Sequence, residues 1–239
     1  MKDNSVGMLR ELNEHGTINI RNIPWRETPM ISIRRPRIER INNLLAAAGE
    51  GSLTYPHEGI VRDAKPDESA PAGYRYDYAA VPLGKGEGVF ERASRALRDW
   101  CMFPPSMAEL YHRDTPIEVG RVVAVLFGGY GLWTLNPARI LYTIDERGDR
   151  SRFGFGYGTL PGHLARGEER FMVEWDHETD EVVFSISAMS RPYHFLSWIG
   201  YPMLRREQRR FRRLAGEAML NAVEEDPITA VPEDPGDGR

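Results

Sequence analysis

The chain has 239 residues, of which 41% are hydrophobic and 28% charged, a composition typical of a globular protein that buries a sizeable core. The net charge of −4 gives no overall basic character, so we expect no nucleic-acid partner, and the single cysteine, Cys101, excludes an intrachain disulfide. No apolar run resembles a signal peptide or approaches the roughly 18 residues of a spanning helix, so we expect a soluble, cytoplasmic protein.

The first third of the chain predicts an extension, a helix and a loop. Residues 1–35 mix weak signals and are interpreted as an N-terminal extension. Pro36 suits the first turn of a helix, whose apolar positions follow at helical spacing and which Gly49 and Gly51 end: Ile38, Ile41, Leu44 and Leu45. The charged, proline-rich residues 62–73 predict an exposed loop.

Next in the chain come one strand and one helix. Residues 74–81 alternate, with three tyrosines on one side and Arg75 and Asp77 on the other, which predicts a strand. A glycine-rich turn at 84–88 leads into an apolar-periodic helix that continues to Trp100.

The middle of the chain is typical of β-structure. Apolar or alternating segments at 119–127, 139–145, 169–175 and 182–188 predict strands, and the last two suggest a hairpin. Because no helices separate these strands, we expect an α+β protein with an antiparallel sheet of about six to seven strands.

A long helix is predicted at the C-terminal end, over residues 202–223. Its apolar stripe is narrow and consists mostly of small residues, as expected for a helix packed closely on a sheet. The acidic residues 224–239 are predicted to be a disordered tail, which leaves 36–223 as a single α+β domain.

Glycine occupies every second position of the segment Arg152–Gly158. In a strand, Phe153, Phe155 and Tyr157 would share one face and the glycines would leave the other face bare. Either the alanines of the C-terminal helix or a bound ligand would cover that bare face, and the helix is favoured.

Several segments together indicate a known family. The chain resembles the family called domain of unknown function 1990 in YGTLPGHLARGEERF, in PAGYRYDYAAVPLGKGEGVFERASRALRDW and in NPARILYTID, and FSISAMSRP and the arginine-rich final helix agree. The resemblance runs from Pro36 to Ala222. It implies a helix-grip fold of the START and birch-pollen-allergen type, in which a curved antiparallel sheet wraps a long C-terminal helix and often leaves an apolar cavity.

Our leading hypothesis is a non-enzymatic module that binds a small apolar or amphipathic molecule, such as a lipid, between the sheet and the C-terminal helix. Tyr157, Thr159 and His163 are predicted to supply polar contacts at the mouth of the pocket, and Arg170 and Arg191 complete the predicted ligand-binding set. No metal site or cofactor is expected, because the spacing of the histidines and acids matches no ligand motif.

Two alternatives remain open. His163 with Glu168 or Glu169 would form an acid–base pair in an enzyme, although surface pairs between these acids and their neighbouring arginines are the simpler interpretation. The arginine-rich helix segment Arg205–Arg213 would make weak contact with an anionic surface, or it would be only a solvated face. A further possibility is that the acidic tail folds back over this segment and shields its charge. The aromatic segment Tyr193–Ile199 is most simply part of the core, and in a helix-grip fold it would lie at one end of the cavity and could form its gate.

Overall fold

The computed structural model describes residues 30–65, 69–129, 131–192 and 201–225. The predicted extension up to residue 29, the aromatic segment Tyr193–Ile199 and the tail from residue 226 lie outside these ranges. The elements, in chain order, are β1 Met30–Ser32, α1 Ile38–Gly49, β2 Arg75–Lys85, α2 Glu87–Arg98, β3 Ala108–Tyr111, β4 Val122–Gly129, β5 Leu132–Glu146, β6 Arg150–Thr159, β7 Ala165–Asp176, β8 Glu181–Pro192 and α3 Tyr201–Glu225.

Within the described ranges, eight strands form one antiparallel sheet in the order β2-β8-β7-β6-β5-β4-β3, and β1 pairs with the first part of β5. The predicted α+β class and the curved sheet with a long C-terminal helix are confirmed. The strand number exceeds the predicted six to seven because β1 and β3 are only three and four residues long. The division into extension, domain and tail stays a prediction, although β1 lies inside the predicted extension.

The main core lies on one face of the sheet, which we call the inner face. Alternate residues of the central strands point there, among them Phe155 of β6, Phe171 of β7 and Phe184 of β8, each at most 1% exposed. Helices α2 and α3 cover this face, and α3 contributes Phe211, Ala215, Met219 and Val223. Burying one such aromatic side chain contributes about 1.5–3 kcal/mol, so the alternation of the strands fixes which face meets the helices.

The opposite face, which we call the outer face, has two separate covers. Ile41 of α1 packs there with Ala124, Leu126 and Leu135 of β4 and β5. Residues 51–65, which we call the outer segment, cross the sheet farther along and place Val61 and Ala64 against Met189 of β8. The sheet is therefore covered on both faces along its centre.

Candidate functional site

The glycine-rich strand β6 turns its bare face away from the C-terminal helix. Phe153, Phe155 and Tyr157 lie in the inner core beside Phe211 and Ala215 of α3. The alternating glycines therefore point to the outer face, and the prediction that the alanines of α3 cover them is wrong. The physical reason is that the three aromatic rings gain far more from burial under the helices than bare glycine could.

Two tyrosines fill the space that the glycines leave. A Cβ atom on Gly156 would overlap the ring of Tyr142, and one on Gly158 would overlap the hydroxyl of Tyr55. Tyr142 stands opposite Gly156 in the β5–β6 register, and Tyr55 belongs to the outer segment. The glycines are thus needed for the close approach of two aromatic side chains to the sheet.

The hydroxyl groups of both tyrosines contact the carboxylate of Glu168, a residue that is 3% exposed. The Tyr142 hydroxyl donates to Oε1 at 3.0 Å and the Tyr55 hydroxyl to Oε2 at 2.8 Å. The backbone N–H groups of Gly59 and Val61 donate to the same carboxylate at 2.8 and 3.3 Å. Burial and the adjacent carboxylate raise the pKa of both tyrosines, which keeps their hydroxyls protonated as donors. Glu168 is therefore a fully hydrogen-bonded anchor for the outer segment.

Arg170 anchors the same segment from the next outward position of β7. Its guanidinium donates to the carbonyl oxygens of Arg62 and Ala64 and to the hydroxyl of Ser187. Residues 62–65 are thus held on the sheet through their backbone, although the loop they begin was predicted to be exposed. Arg170, a predicted ligand-binding residue, lies on the outer face and is occupied by these contacts.

On the inner face, Glu169 is the central polar residue. The buried hydroxyl of Tyr157 donates to its Oε2 at 2.7 Å, and burial raises the pKa of Glu169. The side chain nevertheless keeps part of its surface accessible. Partly accessible groups with such shifted pKa values are common in functional sites.

Charged residues of β2 and α3 complete this inner group. Arg205 donates two hydrogen bonds to the carboxylate of Asp77, and Arg212 donates a third at 3.4 Å. Burial works to raise the pKa of Asp77, but the hydrogen bonds from Arg205 and the charge of Arg212 hold that pKa below its ordinary value. We call Asp77, Tyr157, Glu169, Arg205 and Arg212 the inner polar cluster.

The strand register explains why these side chains meet. Asp77 of β2 pairs with Ala188 of β8, Ala188 with Glu169 of β7, and Glu169 with Tyr157 of β6. Directly paired residues point to the same face, so this row crosses the inner face beneath the first half of α3.

Aromatic rings form the apolar side of the same region. Phe211 of α3 lies 5.6 Å from Phe127 and 5.7 Å from Phe103 between ring centroids. Phe103 in turn contacts Phe171, and Phe171 contacts Tyr157 at 5.6 Å. The inner polar cluster therefore stands at the edge of a continuous aromatic core.

The other predicted site residues are not brought together with Tyr157. The Thr159 hydroxyl lies 2.6 Å from that of Thr54 and accepts the N–H of Gly167. The guanidinium carbon of Arg191 lies 4.7 Å from the ring centroid of Tyr74, which packs against the outer segment. These contacts hold the ends of strands in place and do not reach the Tyr157–Glu169 pair.

His163 accepts a hydrogen bond from the N–H of Ala165 at its Nδ1, at 3.0 Å. Burial lowers its pKa to about 4, so its imidazole is neutral at neutral pH. Among the described residues no hydrogen bond joins it to Glu168 or Glu169, which point to opposite faces of β7. The geometry therefore offers no paired acid and base of the kind that the enzyme hypothesis requires.

The arginine run of α3 is divided between two environments. Arg206, Arg209, Arg210 and Arg213 are exposed, as expected for a solvated face. Arg205 and Arg212 instead are buried against Asp77, at 7% and 9% exposure, so the interpretation of the whole run as a solvated face is wrong. Their separation of seven residues places both on one side of the helix, which is the sequence signal that would have identified them.

Two features are absent from the described ranges of the chain. No group of three histidine, cysteine, aspartate or glutamate side chains there is arranged to hold a metal ion. No helix in that part of the chain is long and apolar enough to cross a membrane.

Comparison with known proteins identifies relatives over most of the chain. The family profile described as "Domain of unknown function (DUF1990)" matches residues 54–218. A UPF0548 protein of Deinococcus radiodurans is 34% identical over 209 residues, which cover 81% of this chain and 99% of the relative. A UPF0548 protein of Dictyostelium discoideum is 32% identical over 207 residues, covering 81% and 96%.

Solved structures resemble the chain more distantly. Truncated norcoclaurine synthase from Thalictrum flavum aligns with a TM-score of 0.43 and 12% identity, over 67% of this chain and 99% of that one. Ginseng major latex-like protein 151 from Panax ginseng aligns with a TM-score of 0.39 and 14% identity, over 63% and 97%.

Proposed function

The chain belongs to the DUF1990 family, and from this premise we propose that it is a non-enzymatic module that binds a small amphipathic molecule between the inner face of the sheet and the first half of α3. The observation that carries the proposal is Glu169, a carboxyl surrounded by protein that keeps accessible surface beside a buried tyrosine and two buried arginines. Such a group marks a recess rather than a filled core.

The composition of this region fits an amphipathic ligand. Binding sites for small molecules combine apolar and aromatic walls with a few polar groups that fix orientation. Phe127 and Phe211 offer the apolar contacts, and the inner polar cluster offers hydrogen-bond donors and acceptors at one end. We propose Tyr157 as a contact residue, as the sequence predicted, and add Glu169 and Arg212.

Catalysis is less well supported. The arrangement of His163, Glu168 and Glu169 separates the groups that would have to act together. Tyr157 and Glu169 form one hydrogen bond, but the inner polar cluster contains no serine, cysteine or histidine. Binding therefore accounts for the geometry with fewer requirements.

The proposal predicts that blocking the recess abolishes binding. Ala188 lies between Asp77 and Glu169 in the inner row and is 8% exposed, so Ala188→Phe would place a ring where the ligand sits. Ala80→Phe is the matched control, because Ala80 is exposed on the neighbouring strand β2.

Native purification followed by solvent extraction and mass spectrometry should find a small molecule at about one per chain with the wild type and with Ala80→Phe. Ala188→Phe should lose it while retaining the far-ultraviolet circular dichroism of the folded protein, and Ala188→Leu replaces it if the larger side chain prevents folding. Retention of the molecule by the folded blocking variant would place the ligand elsewhere and contradict the proposal.

A further inference from the structure

We propose that the ligand of the recess carries an anionic head group, a carboxylate or a similar oxyanion, and that Arg212 binds it. This inference rests on the proposed function and names the chemical class of its ligand. The apolar part of the ligand would lie along the aromatic rings, and its head group would lie at the inner polar cluster.

Arg212 has hydrogen-bond donors that no described residue uses. A guanidinium carries five N–H donors. Among the residues that the structure describes, Arg212 makes one hydrogen bond, at 3.4 Å to Oδ1 of Asp77. The two stronger hydrogen bonds to Asp77 come from Arg205, which holds both carboxylate oxygens. Arg212 is thus a buried cation, 9% exposed, with most of its donors available.

The charge of Arg212 also favours an anionic partner. A buried cation without a full set of partners is costly, and that cost is relieved when a ligand supplies the missing acceptor. Arg205 and Arg212 face Asp77 and Glu169, so two positive groups oppose two carboxyls. Among the described residues, Arg205 bonds both oxygens of Asp77 and Glu169 accepts from Tyr157, so the charge of Arg212 is met only by one hydrogen bond at 3.4 Å. An anionic head group balances that charge, whereas a cationic one adds to it.

The shape of the Arg212 guanidinium suits the same class of head group. The planar fork of arginine matches the two oxygens of a carboxylate and binds it through parallel hydrogen bonds. Glu169 would keep accepting from Tyr157 while the head group bonds to the remaining N–H groups of Arg212. This arrangement uses the donors of Arg212 that no described residue accepts from.

The test compares three probes that share a ten-carbon chain: decanoate, decanol and decyltrimethylammonium. Calorimetric titration of the full chain, freed of bound molecules by extraction and refolding, should show decanoate binding about tenfold or more tightly than decanol, and the cation most weakly. Arg212→Met should remove the preference for decanoate and leave decanol binding unchanged. Arg209→Met, which alters an exposed arginine on the same helix, should preserve the preference.

The outcomes separate this inference from the proposed function. Equal binding of decanoate and decanol, both abolished by Ala188→Phe, would uphold the recess and overturn the anionic head group. Loss of the preference with Arg209→Met as well would assign it to the exposed face of α3 and also overturn the inference. If no probe binds, both proposals fail. Arg212→Lys, which keeps the charge and loses the fork, should weaken decanoate binding and serves if Arg212→Met does not fold.

Discussion

At the scale of single residues, two adjacent glutamates of β7 have opposite environments because successive strand residues point to opposite faces. Glu168 accepts four hydrogen bonds in a closed site on the outer face. Glu169 accepts one from Tyr157 and keeps accessible surface on the inner face. A saturated carboxylate stabilises the fold, whereas an unsaturated one in a recess is available to a ligand.

The hydrogen bond between Tyr142 and Glu168 should therefore contribute measurably to the free energy of unfolding. Tyr142→Phe removes the donor to Oε1 and leaves a buried carboxylate with one fewer partner, so we expect a loss of about 1–3 kcal/mol in the free energy of unfolding. Tyr78→Phe is the control, because Tyr78 is 37% exposed and such surface changes stay within about 0.5 kcal/mol. Urea unfolding monitored by tryptophan fluorescence measures both. Equal stability of the two variants would show that Glu168 does not depend on this donor.

At the scale of elements, periodicity in the sequence was sufficient to predict α1, α2, α3 and most strands. Each of these elements buries one face, so its apolar residues recur at the period of a helix or of a strand. The partner of each face was harder to predict. The bare face of β6 is filled by Tyr142 and Tyr55, which are distant in sequence and leave no local signal. Asp77 did leave a signal, since it alternates with the outward tyrosines of β2 and so had to point inward beside Val81.

The contact between α3 and β2 depends on one glycine that the sequence analysis did not single out. A Cβ atom on Gly216 would lie 2.5 Å from Cγ2 of Val81, a stiff β-branched side chain. Gly216→Ala gains about 1 kcal/mol of helix propensity but loses about 1–3 kcal/mol through overpacking, so we expect a net loss of about 1 kcal/mol.

A double-mutant cycle tests this contact. In a Val81→Ala background the overlap is gone, and Gly216→Ala should become stabilising by about the helix-propensity gain of 1 kcal/mol. Thermal and urea unfolding of the four proteins provide the measurement. A destabilising effect of the same size in both backgrounds would mean that Val81 is not what requires glycine at this position.

At the scale of the whole molecule, the two faces of the sheet have different roles. Hydrogen bonds accepted by Glu168 and donated by Arg170 hold the outer segment on the outer face. On the inner face, α2 and α3 cover the sheet and leave Glu169 partly accessible. Charge is distributed just as unevenly. The exposed side of α3 carries four arginines, whereas residues 226–239 carry four acids and one arginine.

This separation of charge predicts how the protein responds to anionic polymers. Opposite charges so close in the chain attract each other at low salt, so the acidic residues should compete with any polyanion for the exposed arginines. Removal of residues 226–239, which begins just after the end of α3, should therefore raise the salt concentration at which the protein leaves a heparin column. Replacing Arg206, Arg209, Arg210 and Arg213 by glutamine in the shortened chain should reverse that shift, because these side chains would be the binding groups. Unchanged elution after the deletion would show that the acidic residues do not shield this face. Retention that survives the glutamine replacements would place heparin binding on another surface of the protein.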